Sequence, residues 1–190
     1  MVASRTVLVV VFLFVLPISR AESAPAPHPT MPFLFSLSKG ETTRVLAHPH
    51  LLAEAEMYLN ACRFQKGQSA LMLCHNNQSD FVVDYIDAFY NHITAQENLA
   101  YLFSGAQGDS LDLLGIAPNP IQGCAWALAI VGSGGPMVGW TDTVDAKSDC
   151  RRLSAMSRTA AEARASELVR EIHIHLSSGT HGVTIIDKFP

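Results

Sequence analysis

Histidine is the residue type whose spacing most directly suggests chemistry in this sequence. His173 and His175 are one residue apart in a segment that alternates polar and apolar side chains, and His181 follows. Because alternate residues of a β-strand point to one side, three imidazoles there can complete a zinc or copper site. The alternative is a solvated alternating segment, since short histidine tracts are only compositional evidence of metal binding. His173, His175 and His181 are therefore the candidate metal ligands of this chain.

The sequence contains no complete catalytic motif beside these histidines. The glycine-rich stretch 132–135 lacks the lysine and the hydroxyl that complete a phosphate-binding P-loop, and the G-x-S-x-G turn of serine hydrolases does not occur. We therefore expect a protein that is not an enzyme and that uses no cofactor. The alternative is a small secreted metal-binding protein or metallohydrolase that uses the C-terminal histidines.

The N-terminus resembles a secretory signal peptide, which predicts an exported protein. Arg5 precedes ten apolar residues, 7–16, and small side chains at Ser19 and Ala21 favour cleavage after residue 21. The alternative is a membrane anchor, but ten residues span only about 15 Å as a helix against a hydrocarbon core of about 30 Å. We expect residues 1–21 to be removed, no stable membrane insertion afterwards, and a destination in the periplasm or the extracellular space.

The four cysteines are predicted to form two disulfides. An even number of cysteines in an exported chain favours disulfide pairing, and the usual C-x2-C spacing of a zinc site does not occur. Cys62 and Cys74 flank Gly67, and Cys124 and Cys150 flank the glycine-rich stretch. Residues equidistant from a turn face each other in an antiparallel helical hairpin, which predicts the pairs Cys62–Cys74 and Cys124–Cys150. The alternative is four buried free thiols.

Composition and charge narrow the classes of partner. The chain has 190 residues with 13 basic and 17 acidic side chains, a net charge of -4, and 48% of its residues are hydrophobic. A protein with this balance can bury a core, and it lacks the excess of lysine and arginine with which nucleic acids are bound. We therefore expect no nucleic-acid partner.

The apolar periodicity predicts about seven helices. Proline spacing predicts a flexible lead-in over residues 22–47, and the domains that follow are a helical domain at 48–176 and a C-terminal tail at 177–190. A small terminal β element is expected from the alternation of residues 171–176 and the β-branched residues 183–186. Turn chemistry is expected at 75–78, where Asn77 starts a glycosylation sequon. The predicted helices cover 49–62, 69–74, 79–92, 95–104, 121–131, 142–153 and 158–172, with a capping box at Thr94 and Glu97 and an N-cap at Ser157.

Two of these segments resemble the SEL-like subclass of tetratricopeptide-like helical repeats. Residues 95–103, AQENLAYLF, are similar to the first helix of such a repeat, with a turn at Gly105 and Gly108. Residues 122–129, QGCAWALA, are similar to its second helix, and residues 145–172 resemble the region that caps the last repeat in exported bacterial members. Two departures are an insertion at 109–117 and Gly123, which stands where alanine is usual.

The resemblance implies an all-α fold of antiparallel helical hairpins with a short repeat array. It also implies a non-catalytic function in which the concave face of the stacked helices binds a protein or peptide. The alternative fold is an unrelated helical bundle, because a repeat array normally needs about three units to bury a continuous core.

Overall fold

The fold is built from helices. The computed structural model of the protein describes residue 34 and residues 36–62, 67–105 and 115–177. In these ranges the chain contains no strand beyond an isolated antiparallel bridge between Leu59 and Ile116, which confirms the all-α class for this part of the chain. The seven helices of the same ranges are α1 Lys39–Leu46, α2 Pro49–Glu56, α3 Gln68–Phe89, α4 Ile93–Ser104, α5 Pro120–Ser133, α6 Trp140–Arg151 and α7 Ala155–Ser177.

The folded part begins before residue 48, so the flexible lead-in predicted over 22–47 is too long. Helix α1 occupies its last residues because Ser38 and Glu41 form a capping box that satisfies the first free N–H groups of the helix. Val45 is fully buried and fixes α1 against the core. Helix α2 then starts at Pro49 as expected, but it ends at Glu56 rather than near Cys62.

Helix α3 runs without interruption through the turn predicted at 75–78. Gln78, one of the polar residues that suggested a turn, finds hydrogen-bond partners outside α3. Gln78 is buried and donates from Nε2 to the carbonyls of Asn60 at 2.6 Å and Gly115 at 3.1 Å. Ser79 donates to the His75 carbonyl one turn back. Asn77 of the sequon therefore lies within α3, and the predicted turn is wrong.

Two other helix starts differ from the prediction by about a turn or less. Helix α4 starts at Ile93 because Asn91 adopts a left-handed φ of 62°, which makes His92 the N-cap and places Thr94 inside the helix. The capping box at Thr94 is therefore wrong. Helix α7 starts after Ser154, whose Oγ accepts from the Ser157 N–H at 3.1 Å. Ser154 caps the helix in place of Ser157.

The core lies where α3 and α5 meet the other helices. Helix α3 packs against α1, α2, α4 and α7, whereas α5 packs against α4, α6 and α7. Aromatic rings fill the space between them in edge-on and tilted contacts, as their helical spacing suggests. The largest of these buried rings are Phe81, Tyr85, Phe89, Phe103 and Trp126.

Gly123 allows α4 and α5 to pack at very short range. A Cβ atom at this position would lie 2.7 Å from the Ser104 nitrogen and 3.0 Å from the Ala100 carbonyl oxygen. Both are backbone atoms of α4, so neither can move without the helix. The departure from alanine at this position therefore has a structural reason.

A charged network joins α2 to the long α7. The half-buried guanidinium of Arg164 contacts Glu54 at 3.0 Å, Glu171 at 3.2 Å and Glu167 at 3.4 Å. Because Glu54 belongs to α2 and the other two acids to α7, the network holds the two helices in register. It acts as a structural clamp beside the aromatic core.

Candidate functional site

The cysteines pair as the sequence predicts. Cys62 bonds Cys74 with a Cα–Cα distance of 6.0 Å, and Cys124 bonds Cys150 with a Cα–Cα distance of 4.9 Å. The second pair joins facing positions of the α5–α6 hairpin, which is the expected geometry. The first pair is not a helix-to-helix link, because Cys62 follows the end of α2.

The predicted metal ligands are not arranged as a strand would place them. His173 and His175 lie on α7, where two residues of separation turn the side chains by about 200°. His173 is exposed, whereas His175 is partly buried against Tyr90 and Phe89. The strand geometry at this segment is therefore wrong. His181 and residues 183–186 of the expected β element lie outside the described residues.

His175 instead joins a histidine cluster that the sequence did not predict. Its ring stacks on that of His50, with centroids 5.9 Å apart and planes at 5°. The Tyr90 ring lies 5.3 Å from His175, and its hydroxyl is 3.0 Å from Nδ1 of His48. The start of α2, with the motif His48-Pro49-His50, thus meets the end of α7 over the last turn of α3. No sequence signal relates them.

Burial and mutual repulsion govern the ionisation of this cluster. Burial lowers the pKa of His48 below its usual range, and the nearby charges of His50, His175 and Arg44 lower it further. Burial, followed by repulsion from His50, likewise lowers the pKa of His175. The lowered pKa values of His48 and His175 favour their neutral state near pH 7. Even so, no three histidine, cysteine or acidic side chains in the described ranges are placed to hold one metal ion.

A concave groove lies between α5, α6 and α7. It encloses about 330 Å³, a volume within the lower range of protein ligand pockets. Its floor is apolar and consists of Leu128, Val131, Ala146 and the Cys150 half of the disulfide. The Cys124–Cys150 bond fixes α5 to α6 beneath the groove, which makes its floor rigid.

The rim of the groove is cationic. Lys147, Arg151 and Arg158 line it together with a single acid, Glu162, and with Thr143. All four charged side chains belong to exposed residues. Among the described residues, the three cations take part in no salt bridge. The rim is thus a local positive site on a chain whose net charge is -4.

The two ends of the groove differ in chemistry. Near the C-terminus of α6, Arg151 and Arg158 stand together, and Arg158 donates to the Cys150 carbonyl at 3.4 Å. Toward the N-terminus of α6 the lining is Val131 and Thr143, and Trp140 follows one turn earlier with 80% of its surface exposed. The lining of the groove therefore changes from cationic at one end to uncharged at the other.

The sequence analysis noted that residues 142–153 are amphipathic but did not identify this groove. Lys147 and Arg151 are four residues apart, the spacing that places two side chains on one helix face. That spacing was the available signal. The third cation, Arg158, comes from another helix, so its proximity depends on how α6 and α7 pack.

Comparisons with protein families, curated proteins and solved structures give no match for this chain. The resemblance to SEL-like repeats therefore stays a prediction. Within the described ranges, none of the helices combines the length and the apolar character that crossing a bilayer requires.

Proposed function

We propose that this protein is a non-catalytic binding protein that captures a protein or peptide segment in the groove between α5, α6 and α7. The observation that carries the proposal is the groove itself. It has a volume of about 330 Å³, an apolar floor fixed by a disulfide, and a rim of charged side chains. A rigid apolar pocket with a polar rim is the usual anatomy of a site that anchors a partner's side chain.

The arrangement of the helices supports a binding role of the kind that SEL-like repeats have. Helices α4 and α5 form a close pair, and α5, α6 and α7 continue as further packed helices, so that a groove forms between successive elements. The pairing of all four cysteines supports the further proposal that the protein is exported.

Selection from an unbiased peptide library tests the proposed function. The oxidised protein is immobilised, and selected peptides are then measured against two variants of α6. Thr143→Trp places a large ring at the groove wall, whereas Thr141→Trp places the same ring on an exposed position that does not line the groove. We expect the selected peptides to lose binding to Thr143→Trp and to retain it with Thr141→Trp. Peptides that bind all three proteins equally, or no selected peptide at all, would reject the groove as the binding site.

A further inference from the structure

The charges of the groove identify the chemistry of the segment that it would hold. Three cations and one acid line the rim, and none of the cations is neutralised by a salt bridge within the described residues. The chain as a whole is acidic, with 17 acidic against 13 basic side chains. The rim charges attract acidic segments and repel basic ones, and they outweigh the negative charge of the rest of the chain because electrostatic interactions weaken with distance.

The polarity of the groove adds an orientation. Arg151 and Arg158 line one end, whereas Val131 and Thr143, which carry no charge, line the other. A partner that satisfies both ends carries an apolar side chain for the floor and carboxylates about one or two helical turns away. An arginine can bind a carboxylate through two parallel hydrogen bonds, so the end lined by Arg151 and Arg158 is the better site for the acidic side chains.

We propose that the groove binds an acidic peptide segment, in which an apolar side chain fills the floor and neighbouring carboxylates pair with Arg151 and Arg158. This inference rests on the proposed function and names its partner class. Glu162, the only acid among the lining residues, opposes the binding of such a segment. Its removal is therefore expected to strengthen binding, whereas removal of the cations weakens it.

A matched set of labelled peptides tests the charge requirement. Each contains a pair of leucines followed by three glutamates, three glutamines or three lysines, and fluorescence anisotropy gives the affinity for the oxidised protein. Each exposed ion pair contributes up to about fivefold in affinity. Because two arginines face the charged residues of the peptide, the glutamate peptide should bind at least about tenfold more tightly than the lysine peptide. The difference should shrink as the salt concentration rises.

Adjacent arginines supply the matched variants. Arg151 lines the groove and Arg152 does not, although both are exposed. Arg151→Glu should weaken the glutamate peptide about tenfold and strengthen the lysine peptide, and Arg152→Glu should change either by less than about twofold. The gain with the lysine peptide cannot arise from misfolding. Glu162→Gln should strengthen the glutamate peptide about twofold.

The outcomes separate this inference from the proposed function. Equal affinity for all three peptides, with loss of binding in Thr143→Trp, would overturn the charge requirement and leave the groove as a peptide site. Failure of all three peptides would overturn the inference, while the library selection decides the proposed function independently. Binding of dodecanoate that depends on Arg151, without binding of any peptide, would overturn it in favour of a lipid anion.

Discussion

Replacing Gly123 by alanine should destabilise the protein, although alanine is the better helix former. The added Cβ would lie 2.7 Å from the Ser104 nitrogen, 2.9 Å from the Ser104 Cα and 3.0 Å from the Ala100 carbonyl oxygen. Ordinary contact begins near 3.5 Å, so α4 must retreat by roughly 0.5 to 0.8 Å from α5. The atoms that the added Cβ would approach belong to the backbone of α4, so no change of side-chain rotamer can relieve the contacts.

The magnitude follows from two opposing terms. Overpacking in a core costs about 1–3 kcal/mol, and rigid backbone neighbours favour the upper end. Alanine recovers up to about 1 kcal/mol through its higher helix propensity. The free energy of unfolding should therefore fall by about 2 kcal/mol, which corresponds to a decrease in Tm of roughly 4–8 °C for a chain of this size.

Gly132 of the same helix provides the control. A Cβ there would lie 3.6 Å from Val169 Cγ2, an ordinary van der Waals contact. Gly132→Ala should consequently raise the stability by about 0.5 kcal/mol. Urea unfolding followed by far-UV circular dichroism, with the disulfides intact, measures both variants. If Gly123→Ala proved as stable as Gly132→Ala, the close approach of α4 and α5 would be refuted.

Three further predictions concern ionisation and the disulfides. Burial raises the pKa of Asp84 to about 6, so its folded form binds a proton more tightly than its unfolded form and stability falls as pH rises from about 4 to 6. Asp84→Asn should therefore gain on the order of 1 kcal/mol at pH 7, after allowance for solvent screening, and lose that part of the pH dependence in urea unfolding. Asp84→Asn variants that are less stable at pH 7 would contradict this. The lowered pKa values of His48 and His175 have the opposite effect on stability. Their contribution to the free energy of unfolding is present above the ordinary histidine pKa of 6.5, and it is lost as the pH falls through the lower pKa values of the folded state. In an NMR titration His50→Gln should raise both pKa values, whereas His173→Gln should leave that of His48 unchanged; no response to His50→Gln would argue against the ring stack. Replacing Cys124 and Cys150 by serine should cost roughly 3 kcal/mol, and non-reducing peptide mapping of the unaltered protein should recover only Cys62–Cys74 and Cys124–Cys150.

The sequence predicted those features that depend on neighbouring residues. Helix α5 starts where Pro120 permits it, with Asn119 accepting from the Gln122 N–H at 3.2 Å. The disulfide between Cys124 and Cys150 followed from their symmetry about a single turn. In both cases the deciding partners are close in sequence or related by one hairpin.

Features that depend on distant partners were not predictable in this way. Residues 75–78 have the composition of a turn, yet they lie within a helix in which Gln78 donates to the carbonyls of Asn60 and Gly115, 18 and 37 residues away. The groove requires three helices to meet, and the histidine cluster requires residues 48 and 175 to meet. Local periodicity contains no information about such encounters.

The position of Gly115 limits how the first disulfide can be reached. Cys74 is fully buried, and a Cβ at Gly115 would lie 2.5 Å from its Sγ atom, so the backbone of the segment after Gly115 covers the sulfur. A reductant or an oxidoreductase can attack the Cys74 sulfur once that segment lifts from α3, which breaks the Gln78 hydrogen bond to Gly115 and the bridge at Ile116. The rate of thiol exchange at the Cys74 sulfur therefore reports how often this segment opens.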